Sequence, residues 1–370
     1  MAWLVEGRAK FIVGSAFYRQ ASQVARDLAV LSAAIYQSDT GCLRVLDAMT
    51  GCGVRSLRYW LESQADWVWA NEANPEISPI LQQNLKEAVA AGCCQITHLN
   101  ANRVFFDCHA RQDYYDLVDV DCFGSPNPYL STSLWGTKIG GLLYLTSTDG
   151  RTATGHLPEN SLRVYGAYAR SHPAAHEQAL RLLIGSVQQQ AASQGLGVEP
   201  VFSLFAGQTY RVMLRVLSSQ SLTTKNYGFL GYCHHCGNYQ TVSWRKLGRV
   251  ICSNDQQPLV ISGPLWLGAL HEVHQLKRML SLAQDWHWSE RVKLLTIMAA
   301  EANLPPYFYT LGEIGRRGKM DIPKRSHLIQ ALQTMGYRAS PTHINAQAIK
   351  TDADISTCII AGKENLEFRI

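Results

Sequence analysis

Long apolar runs and a strong surplus of charge of either sign are both missing from this sequence of 370 residues. Its longest apolar stretches, around residues 142–146 and 294–300, have the length of a strand or a short helix and are too short to span a membrane. The stretch MAWLVEGRAKF lacks the continuous apolar core of a secretory signal. The formal net charge of +5 is too small to indicate a nucleic-acid partner by itself. We therefore expect a cytoplasmic protein that does not bind membranes.

Internal repeats and low-complexity tracts are also missing, which argues against a solenoid. The ten cysteines are scattered through a long chain without a signal peptide, so we expect reduced thiols rather than a disulfide framework. No feature of the sequence indicates an obligate protein partner. Its length allows two domains, each with a core of its own.

Between Leu43 and Asp149, short apolar runs alternate with amphipathic stretches of helical length. This alternation predicts a parallel sheet that helices cover on both faces. Two later runs, VEPVFSLFA and YRVMLRVL, are separated by GQT and can pair as an antiparallel hairpin. The pattern predicts an α/β fold, namely a Rossmann-like class I domain of the S-adenosylmethionine (SAM) dependent methyltransferase type. The predicted parallel strands are LRVLD, WVWAN, QITHL, YDLVDVD and GGLLYLTSTD.

The polar segment SSQSLTTKN, residues 218–226, has no periodicity and predicts a domain boundary. We expect the methyltransferase domain over residues 1–218 and a smaller α+β domain over residues 219–370. Within residues 306–350, seven lysines and arginines stand against two acids. Most of the positive surplus of the chain therefore lies in the second predicted domain.

The run VLDAMTGCGVRSLRYWL places Asp47 at the end of the first strand, followed by a turn with Gly51 and Gly53 and then a helix. Glycines at such a turn let backbone N–H groups approach a nucleotide closely. The NAD fingerprint requires a third glycine, and here Ser56 fills that position. Glu72 closes the second strand, where a carboxylate can accept hydrogen bonds from both ribose hydroxyls. This pattern favours nucleoside binding over dinucleotide binding.

The run VDVDCFGSPNPY places Asp121 at the end of the fourth strand, on the edge where open α/β sheets bind ligands. A carboxylate there can accept a hydrogen bond from an exocyclic amino group, and Phe123 offers a face for stacking a base. Such a pair suits methyl transfer to an aromatic amine, with Asp121 orienting the nitrogen and helping to remove its proton. Alternatively, Asp121 caps the following turn and Phe123 packs in the core.

The stretch DCFGSPNPYL resembles the DPFGSPAPF signature of the tRNA (guanine-26-N2)-dimethyltransferases. RDLAVL, LDAMTGCGVRSLR, LYLTSTDG, AHEQALRLLIGSV, ISGPLWLGAL and GYRASPTHINAQAIKTDA are each similar to further elements of that family. The resemblance implies transfer of one or two methyl groups from SAM to the N2 amine of a guanine in tRNA. It implies catalytic roles for Asp121 and Phe123, and a SAM site to which residues 1–40 contribute. The implied SAM-binding residues are Arg26, Asp47, Gly51, Gly53, Glu72, Asn100 and Ala101.

Two positions depart from the family pattern. Asn100 stands where the family commonly has an aspartate, although an amide oxygen can still accept a hydrogen bond from the adenine amine. Cys122 replaces the proline that follows the catalytic aspartate. We do not expect Cys122 to act as a nucleophile, because methylation of an amine needs no covalent intermediate.

The spacing of Cys233, Cys236 and Cys252 fits the first three ligands of a structural zinc site of the C-x2-C…C-x2-C type. Asp255 stands where the fourth cysteine is expected. Aspartate oxygen can bind zinc, so a Cys233, Cys236, Cys252 and Asp255 site is one interpretation. A histidine as the fourth ligand, or the remnant of a lost site, are the alternatives; the candidate histidines are His234, His235 and His271.

The run GRRGKMDIPKRSH, residues 315–327, carries five cations. Such a run is often only solvated, but beside the family resemblance it predicts a surface that neutralises tRNA phosphates. The target amine lies inside folded tRNA, so the enzyme must distort the core or flip the base out. The predicted RNA-binding residues are Arg316, Arg317, Lys319, Lys324 and Arg325.

Three other functions stay open at this point. The same chemistry could act on a neighbouring guanine or on an adenine amine of RNA. The chain could instead be a non-catalytic RNA-binding module, or a NAD-dependent oxidoreductase, which Ser56 disfavours.

Overall fold

A computed structural model describes residues 2–367. These residues form two compact units. The first contains residues 2–148, Val187–Ser221 and His274–Val292. The second contains Asp149–Ser186, Leu222–Val273 and residues 293–367. Among the described helices, none combines the length and the apolar character needed to cross a membrane.

The strands are β1 Trp3–Glu6, β2 Ala9–Ile12, β3 Arg44–Asp47, β4 Trp67–Asn71, β5 Cys94–Thr97, β6 Tyr115–Val120, β7 Thr137–Ser147, β8 Gly197–Ala206, β9 Thr209–Leu217, β10 Tyr227–Tyr232, β11 Tyr239–Val242, β12 Val260–Trp266, β13 Tyr309–Thr310, β14 Ala339–Pro341 and β15 Ala348–Thr351. The helices are α1 Gln23–Thr40, α2 Val54–Leu61, α3 Ser78–Ala90, α4 Ala101–Arg111, α5 Asn127–Gly136, α6 Gly150–Ala153, α7 Pro158–Tyr165, α8 Ala175–Ser193, α9 Val273–Asp285, α10 Ser289–Glu301, α11 Leu311–Gly318, α12 Arg325–Thr334 and α13 Ile355–Glu367.

The first unit is built on a seven-stranded sheet with the order β5-β4-β3-β6-β7-β9-β8. The first five of these strands are mutually parallel, and β9 pairs antiparallel with both β7 and β8. The crossover helices pack in two pairs, α2 with α3 and α4 with α5. This arrangement confirms the predicted α/β fold with five parallel strands and a terminal hairpin. The chain leaves β3 and β6 in opposite directions across the sheet, which opens a crevice between their carboxyl ends.

The turn between β8 and β9 explains why these two strands pair as a hairpin. Gly207 and Gln208 connect them, and both have positive φ, at 57° and 65°. A two-residue turn with positive φ at both positions matches the right-handed twist of the flanking strands. Within β9, Arg211 is only 3% exposed, so this strand carries a cation into the interior of the first unit.

The polar segment at residues 218–226 contains one point at which the chain passes from the first unit to the second, between Ser221 and Leu222. The structure divides the rest of the chain differently from the predicted domains. Residues 149–186 belong to the second unit, and His274–Val292 belongs to the first. A polar linker marks where a chain leaves one unit, but α7 and α9 have ordinary amphipathic composition, and composition does not indicate which core a helix joins.

The second unit contains two three-stranded sheets, with the orders β11-β10-β12 and β13-β15-β14. A buried ion cluster ties its elements together. Glu177 of α8 accepts hydrogen bonds from Arg181 Nη2 and from Lys350 Nζ of β15, both at 2.7 Å. Arg181 also donates to the carbonyl oxygens of Trp266 and Gly268, at 3.1 and 2.8 Å. The segments AHEQALRLLIGSV, ISGPLWLGAL and the Lys-Thr-Asp run thus meet in the core of this unit.

Candidate active site

A cavity of about 640 Å³ opens at the carboxyl ends of β3 and β6. Most residues predicted to bind SAM or substrate contribute to its wall. Those that line it are Arg26, Gly51, Glu72, Asn100, Ala101, Asp121 and Phe123.

The glycine turn forms one wall of this cavity. Gly51 and Gly53 have φ of 59° and 82°, values that favour glycine. A Cβ at Gly53 would lie 3.1 Å from a methyl carbon of Leu81. The backbone N–H of Gly51 donates to Glu72 Oε2 at 3.1 Å, and the N–H of Asn74 donates to Oε1 at 3.0 Å. These bonds fix the Glu72 carboxylate at the cavity wall.

Asp47 lies behind the cavity wall rather than in it. Its carboxyl group is fully buried, and it accepts hydrogen bonds from Arg55 Nη2 and Ser56 Oγ, both at 2.9 Å. Ser56 is the residue that occupies the third glycine position of the NAD fingerprint. The structure therefore places Asp47 where it supports the turn through Arg55 and Ser56.

Asp121 sits between two guanidinium groups. Arg211 Nη2 lies 3.1 Å from Asp121 Oδ1, and Arg55 Nη1 donates to Oδ2. Burial alone would raise the pKa of Asp121, but the charges of Arg211 and Arg55 together hold that pKa well below its usual range. Asp121 is therefore an ionised hydrogen-bond acceptor and a weak base.

A second acid, Asp119, lies beneath Asp121 on β6. Burial raises the pKa of Asp119 to about 7. Arg55 Nε lies 3.2 Å from its Oδ2, and Tyr59 donates a hydrogen bond of 2.8 Å to the same oxygen. Arg55 is thus shared by the three carboxyl groups of Asp47, Asp119 and Asp121.

Two exposed aromatic rings flank the mouth of the cavity. The side chain of Phe123 is 74% exposed and that of Phe17 is 60% exposed. Their ring centroids are 4.9 Å apart in an edge-to-face contact. The alternative in which Phe123 packs in the core is therefore wrong. Exposed aromatic rings beside a cavity offer faces on which a planar ligand can stack.

Asn100 and Ala101 form the start of α4. Asn100 caps this helix, because its side-chain oxygen accepts a hydrogen bond of 2.9 Å from the N–H of Asn102. The position that departs from the family's aspartate thus already uses its amide oxygen within the chain. Ala101, 4% exposed, presents little surface to a ligand.

Cys122 is buried, and its thiol donates to the carbonyl oxygen of Thr146 at 3.5 Å. Burial raises the pKa of the Cys122 thiol to about 12. A thiol with such a pKa stays protonated at neutral pH, so it is a poor nucleophile.

In the second unit, Cys233, Cys236, Cys252 and Asp255 lie together, with their ligand atoms within 4.8 Å of one another. The N–H groups of Asn238 and Asn254 donate to Cys236 Sγ and Cys252 Sγ, both at 3.4 Å. Hydrogen bonds to sulfur stabilise thiolate ligands.

The fourth position of this cluster is filled by Asp255. His235 Nδ1 lies 2.7 Å from Asp255 Oδ2 and can orient that carboxylate from outside the cluster. His271 lies in a different cluster, with Glu301 and His343. Among the candidates, the geometry favours Asp255 as the fourth ligand, and this donor set fits a zinc ion.

The cluster of His271, Glu301 and His343 belongs to the core of the second unit. Its side chains are at most 1% exposed. Glu301 Oε1 contacts His343 Nδ1 and accepts a hydrogen bond of 3.2 Å from the N–H of His343. Through these bonds, the Glu301 carboxylate fixes the turn at His343 within the core of the second unit.

The basic run divides into exposed and anchored residues. The side chain of Arg316 is 64% exposed, whereas that of Arg317 is 10% exposed. Arg317 donates to the carbonyl oxygens of His234 and His235, next to the cysteine cluster. Lys319 and Lys324 are exposed, and Arg325 is half-buried with Nη1 donating to Ala346 O at 2.7 Å.

Sequence reasoning missed Arg55, Arg211 and Phe17. Arg55 lies in the first turn of α2, where a cation opposes the helix dipole, and such a cation signals a nearby acid. Arg211 stands in the largely apolar strand TYRVMLRVL, whose other cation is Arg215, and a cation in such a strand gives the same signal. No local pattern distinguishes Phe17.

Known proteins resemble this chain over nearly its whole length. Residues 4–361 match the family described as N2,N2-dimethylguanosine tRNA methyltransferase. The tRNA (guanine(26)-N(2))-dimethyltransferase of Pyrococcus abyssi is 29% identical over 95% of this chain and 95% of the relative. The protein of the same name from Aeropyrum pernix is 30% identical over 91% of this chain and 86% of the relative.

A solved structure is also similar. Trm1 from Pyrococcus horikoshii in complex with S-adenosyl-L-methionine has a TM-score of 0.85 and 26% identity, and the match covers 98% of this chain and 99% of that one. The cavity, the glycine turn and the Asp121 and Phe123 pair thus occur in a chain that is similar to these proteins from end to end. Because the family match extends over most of its residues, the chain belongs to the N2,N2-dimethylguanosine tRNA methyltransferase family.

Proposed function

We propose that this protein transfers one or two methyl groups from SAM to the exocyclic N2 amine of guanine 26 in tRNA. The observation that carries the proposal is that ionised Asp121 and exposed Phe123 line the same cavity as the glycine turn and Glu72. The position of the guanine follows from the names of the similar proteins from Pyrococcus abyssi and Aeropyrum pernix.

The residues around the glycine turn would hold SAM, which when bound supplies an electrophilic methyl group. Glu72 has its carboxylate fixed at the cavity wall and is suited to accept hydrogen bonds from ribose hydroxyls. Arg26 would pair with the carboxylate of the methionine part, and Asn100 and Ala101 would lie beside the adenine. Asp47 would contribute indirectly, by fixing Arg55 and Ser56 under the turn.

Asp121 would accept a hydrogen bond from the guanine amine and orient its lone pair for attack. As the amine nitrogen is methylated it gains positive charge, and an ionised carboxylate at hydrogen-bond distance stabilises that charge. Because its pKa is held well below the usual range, Asp121 is not suited to retain the proton, which would pass on to solvent.

Phe123 and Phe17 would hold the flipped guanine at the cavity mouth. Their rings present exposed apolar faces, and stacking on an aromatic ring stabilises a nucleobase by about 1–3 kcal/mol. That stabilisation offsets part of the unstacking cost of removing the base from the tRNA core.

The test is to incubate the protein with an unmodified tRNA transcript and labelled SAM, digest the RNA and identify the labelled nucleoside. We expect N2-methylguanosine or N2,N2-dimethylguanosine, and no label in a transcript with adenine at position 26. Label in a neighbouring guanine or in an adenine would establish the corresponding alternative. Transcript binding without any label would indicate a non-catalytic RNA-binding module.

We also propose that the basic run of the second unit binds tRNA phosphates. The exposed side chains of Lys319 and Lys324, together with half-buried Arg325, would make ionic contacts with phosphates. Arg316 is also exposed but pairs with Glu313 at 2.8 Å, so a phosphate would share or replace that ion pair. Arg317 would act differently, since its guanidinium holds the turn at residues 234–235.

Changing Lys319 and Lys324 together to glutamate should weaken tRNA binding and reduce its salt dependence. Removing one ion pair between a lysine and a phosphate lowers the slope of log K against log salt concentration by about one. The measurement is the dissociation constant for tRNA across a range of salt concentrations. Lys86→Glu, which reverses an exposed charge on α3, is the matched control and should leave the slope unchanged. An unchanged slope in the double variant would remove these lysines from the interface.

We further propose that Cys233, Cys236, Cys252 and Asp255 hold a structural zinc ion. Purified protein should contain about one equivalent of zinc, and Asp255→Cys should raise the affinity because thiolate is the commoner structural ligand. Metal analysis and competition with a chelator measure both. Cys252→Ser should lose the metal, whereas Cys42→Ser, at an exposed thiol of the first unit, should not. Wild-type protein with under about a tenth of an equivalent would contradict the site.

A further inference from the structure

Glu6 is a buried acid at the end of an otherwise exposed strand. In β1 the first three residues are exposed, and only Glu6, 2% exposed, points inward. A lone carboxylate in such a position is costly unless cations surround it. Its partners therefore indicate why the strand carries it.

The carboxylate of Glu6 is saturated with donors. Arg26 binds it with both ends of its fork, through Nε to Oε1 at 2.6 Å and Nη2 to Oε2 at 2.5 Å. Arg58 Nη1 donates to Oε1 at 2.8 Å, and the Tyr18 hydroxyl donates to Oε2 at 2.9 Å. Two guanidinium groups and one phenol thus converge on a single carboxylate.

Two of these three partners face the cavity. Arg26 and Tyr18 both line it, and the Arg26 guanidinium lies over the Tyr18 ring at 5.0 Å. Burial opposes ionisation of Glu6, but the Arg26 and Arg58 charges hold its pKa below the usual value. Because Glu6 occupies the Nε and Nη2 edge of Arg26, the guanidinium has a fixed plane and presents its remaining Nη1 edge in a defined direction.

We propose that Glu6 is a positioning residue that sets Arg26 for the carboxylate of the methionine part of SAM. The inference rests on the proposed function, in which Arg26 binds that carboxylate. A carboxylate is required because an amide in its place would offer one acceptor oxygen and would turn an NH2 donor toward the guanidinium donors. Arg26 would then lose its fixed plane while the rest of the cavity stays intact.

The experiment compares two ligands that share the adenosine part. S-adenosylhomocysteine carries the amino-acid carboxylate, and 5′-methylthioadenosine lacks it. In Glu6→Gln, the dissociation constant for S-adenosylhomocysteine should rise at least about tenfold, because Arg26 loses its charge-assisted hydrogen bond to the carboxylate of the ligand. The dissociation constant for methylthioadenosine, which has no such carboxylate, should change less than about twofold. Isothermal titration calorimetry measures both constants. Equal weakening of the two ligands, or weakening of neither, would overturn the proposal.

Glu62→Gln is the matched control. Glu62 is also a buried acid, 3% exposed, and it binds Arg58 through Nε and Nη2 at 2.7 and 2.9 Å. Neutralising it removes the same charge from the same ion network, but none of the described hydrogen bonds joins it to Arg26. Both ligands should bind this variant as they bind the wild type.

Two further variants separate the possible failures. If Glu6→Gln does not fold, Glu6→Asp replaces it in the test. This variant keeps the charge but draws the carboxylate back by one methylene group, so we again expect weaker binding of S-adenosylhomocysteine and little change for methylthioadenosine. In an Arg26→Ala background, Glu6→Gln should add no further loss of S-adenosylhomocysteine affinity, since both act through one interaction. If wild-type protein binds neither ligand, the proposed function fails, and this outcome is distinct from a failure of the Glu6 inference alone.

Discussion

Replacing Asp121 with asparagine should lower the rate of methyl transfer to tRNA by about 10²–10³-fold, the usual effect of removing one group that stabilises charge in the transition state. The side chain keeps its shape, but it loses the charge that stabilises the methylated amine and gains donors that oppose the guanine amine. Arg55 would retain its ion pairs with Asp47 and Asp119, whereas Arg211 would keep the contact of its guanidinium with the Tyr144 ring. Single-turnover kinetics with labelled SAM measure the loss directly.

The binding of S-adenosylhomocysteine should survive in this variant, because the donor is held by other residues of the cavity. The pH profile of the wild type gives a second measurement. Since the pKa of Asp121 lies well below its usual range, the carboxylate stays ionised from pH 5 to pH 8, and its titration should not appear in the rate over that interval. Asp113→Asn, at a surface ion pair with Arg44, is the control. More than a tenth of the wild-type rate in Asp121→Asn would contradict the assignment.

Changing Arg55 to methionine should destabilise the first unit by about 3–5 kcal/mol, the usual cost of removing one partner from a buried ionic cluster. Arg55 is 5% exposed and serves Asp47, Asp119 and Asp121. Without it, Asp47 and Asp119 stay buried and lose the cation with which they form ion pairs in the described residues. Chemical denaturation followed by circular dichroism measures the change in the free energy of unfolding.

The loss in this variant should shrink as the pH falls. A buried carboxyl group without a cation has a higher pKa in the folded protein than in the unfolded chain. It therefore destabilises the fold at pH values above the unfolded pKa, and this destabilisation fades as the pH falls toward that value. Burial already raises the pKa of Asp119 to about 7 in the wild type. The destabilisation should therefore be larger at pH 8 than at pH 5.

Arg44→Met is the matched control for this prediction. Its ion pair with Asp113 is one-third exposed, and such pairs contribute about 0–1 kcal/mol. If Arg55→Met lost no more stability than Arg44→Met, or lost as much at pH 5 as at pH 8, the buried cluster would not have the proposed role.

The central sheet could be predicted from the sequence because its signal is local. The strands β3, β4, β6 and β7 contain short apolar runs, and a turn marks the β8 and β9 hairpin. The site residues at strand ends could be predicted for the same reason, since the carboxyl ends of parallel strands meet at one edge. Asp121 and Glu72 both lie where that rule puts them.

The exchange of segments between the two units could not be predicted in this way. A helix such as α7 or α9 has the same amphipathic pattern whichever core it joins. The partners of buried charges are equally hidden, because Glu6 and Arg58 are 52 residues apart and meet only after folding. The sequence shows that a buried cation needs an acid, but not which acid supplies it.

The anchoring of Arg317 has a mechanical consequence. Its guanidinium holds the carbonyl groups of the loop between Cys233 and Cys236, and its Nε binds Glu313 at 2.9 Å on the same helix, α11. Helix α11, which carries Arg316, is thereby fixed to the loop between Cys233 and Cys236. Because Arg317 joins α11 to this loop, the position of Arg316 on α11 depends on the conformation of the residues between Cys233 and Cys236.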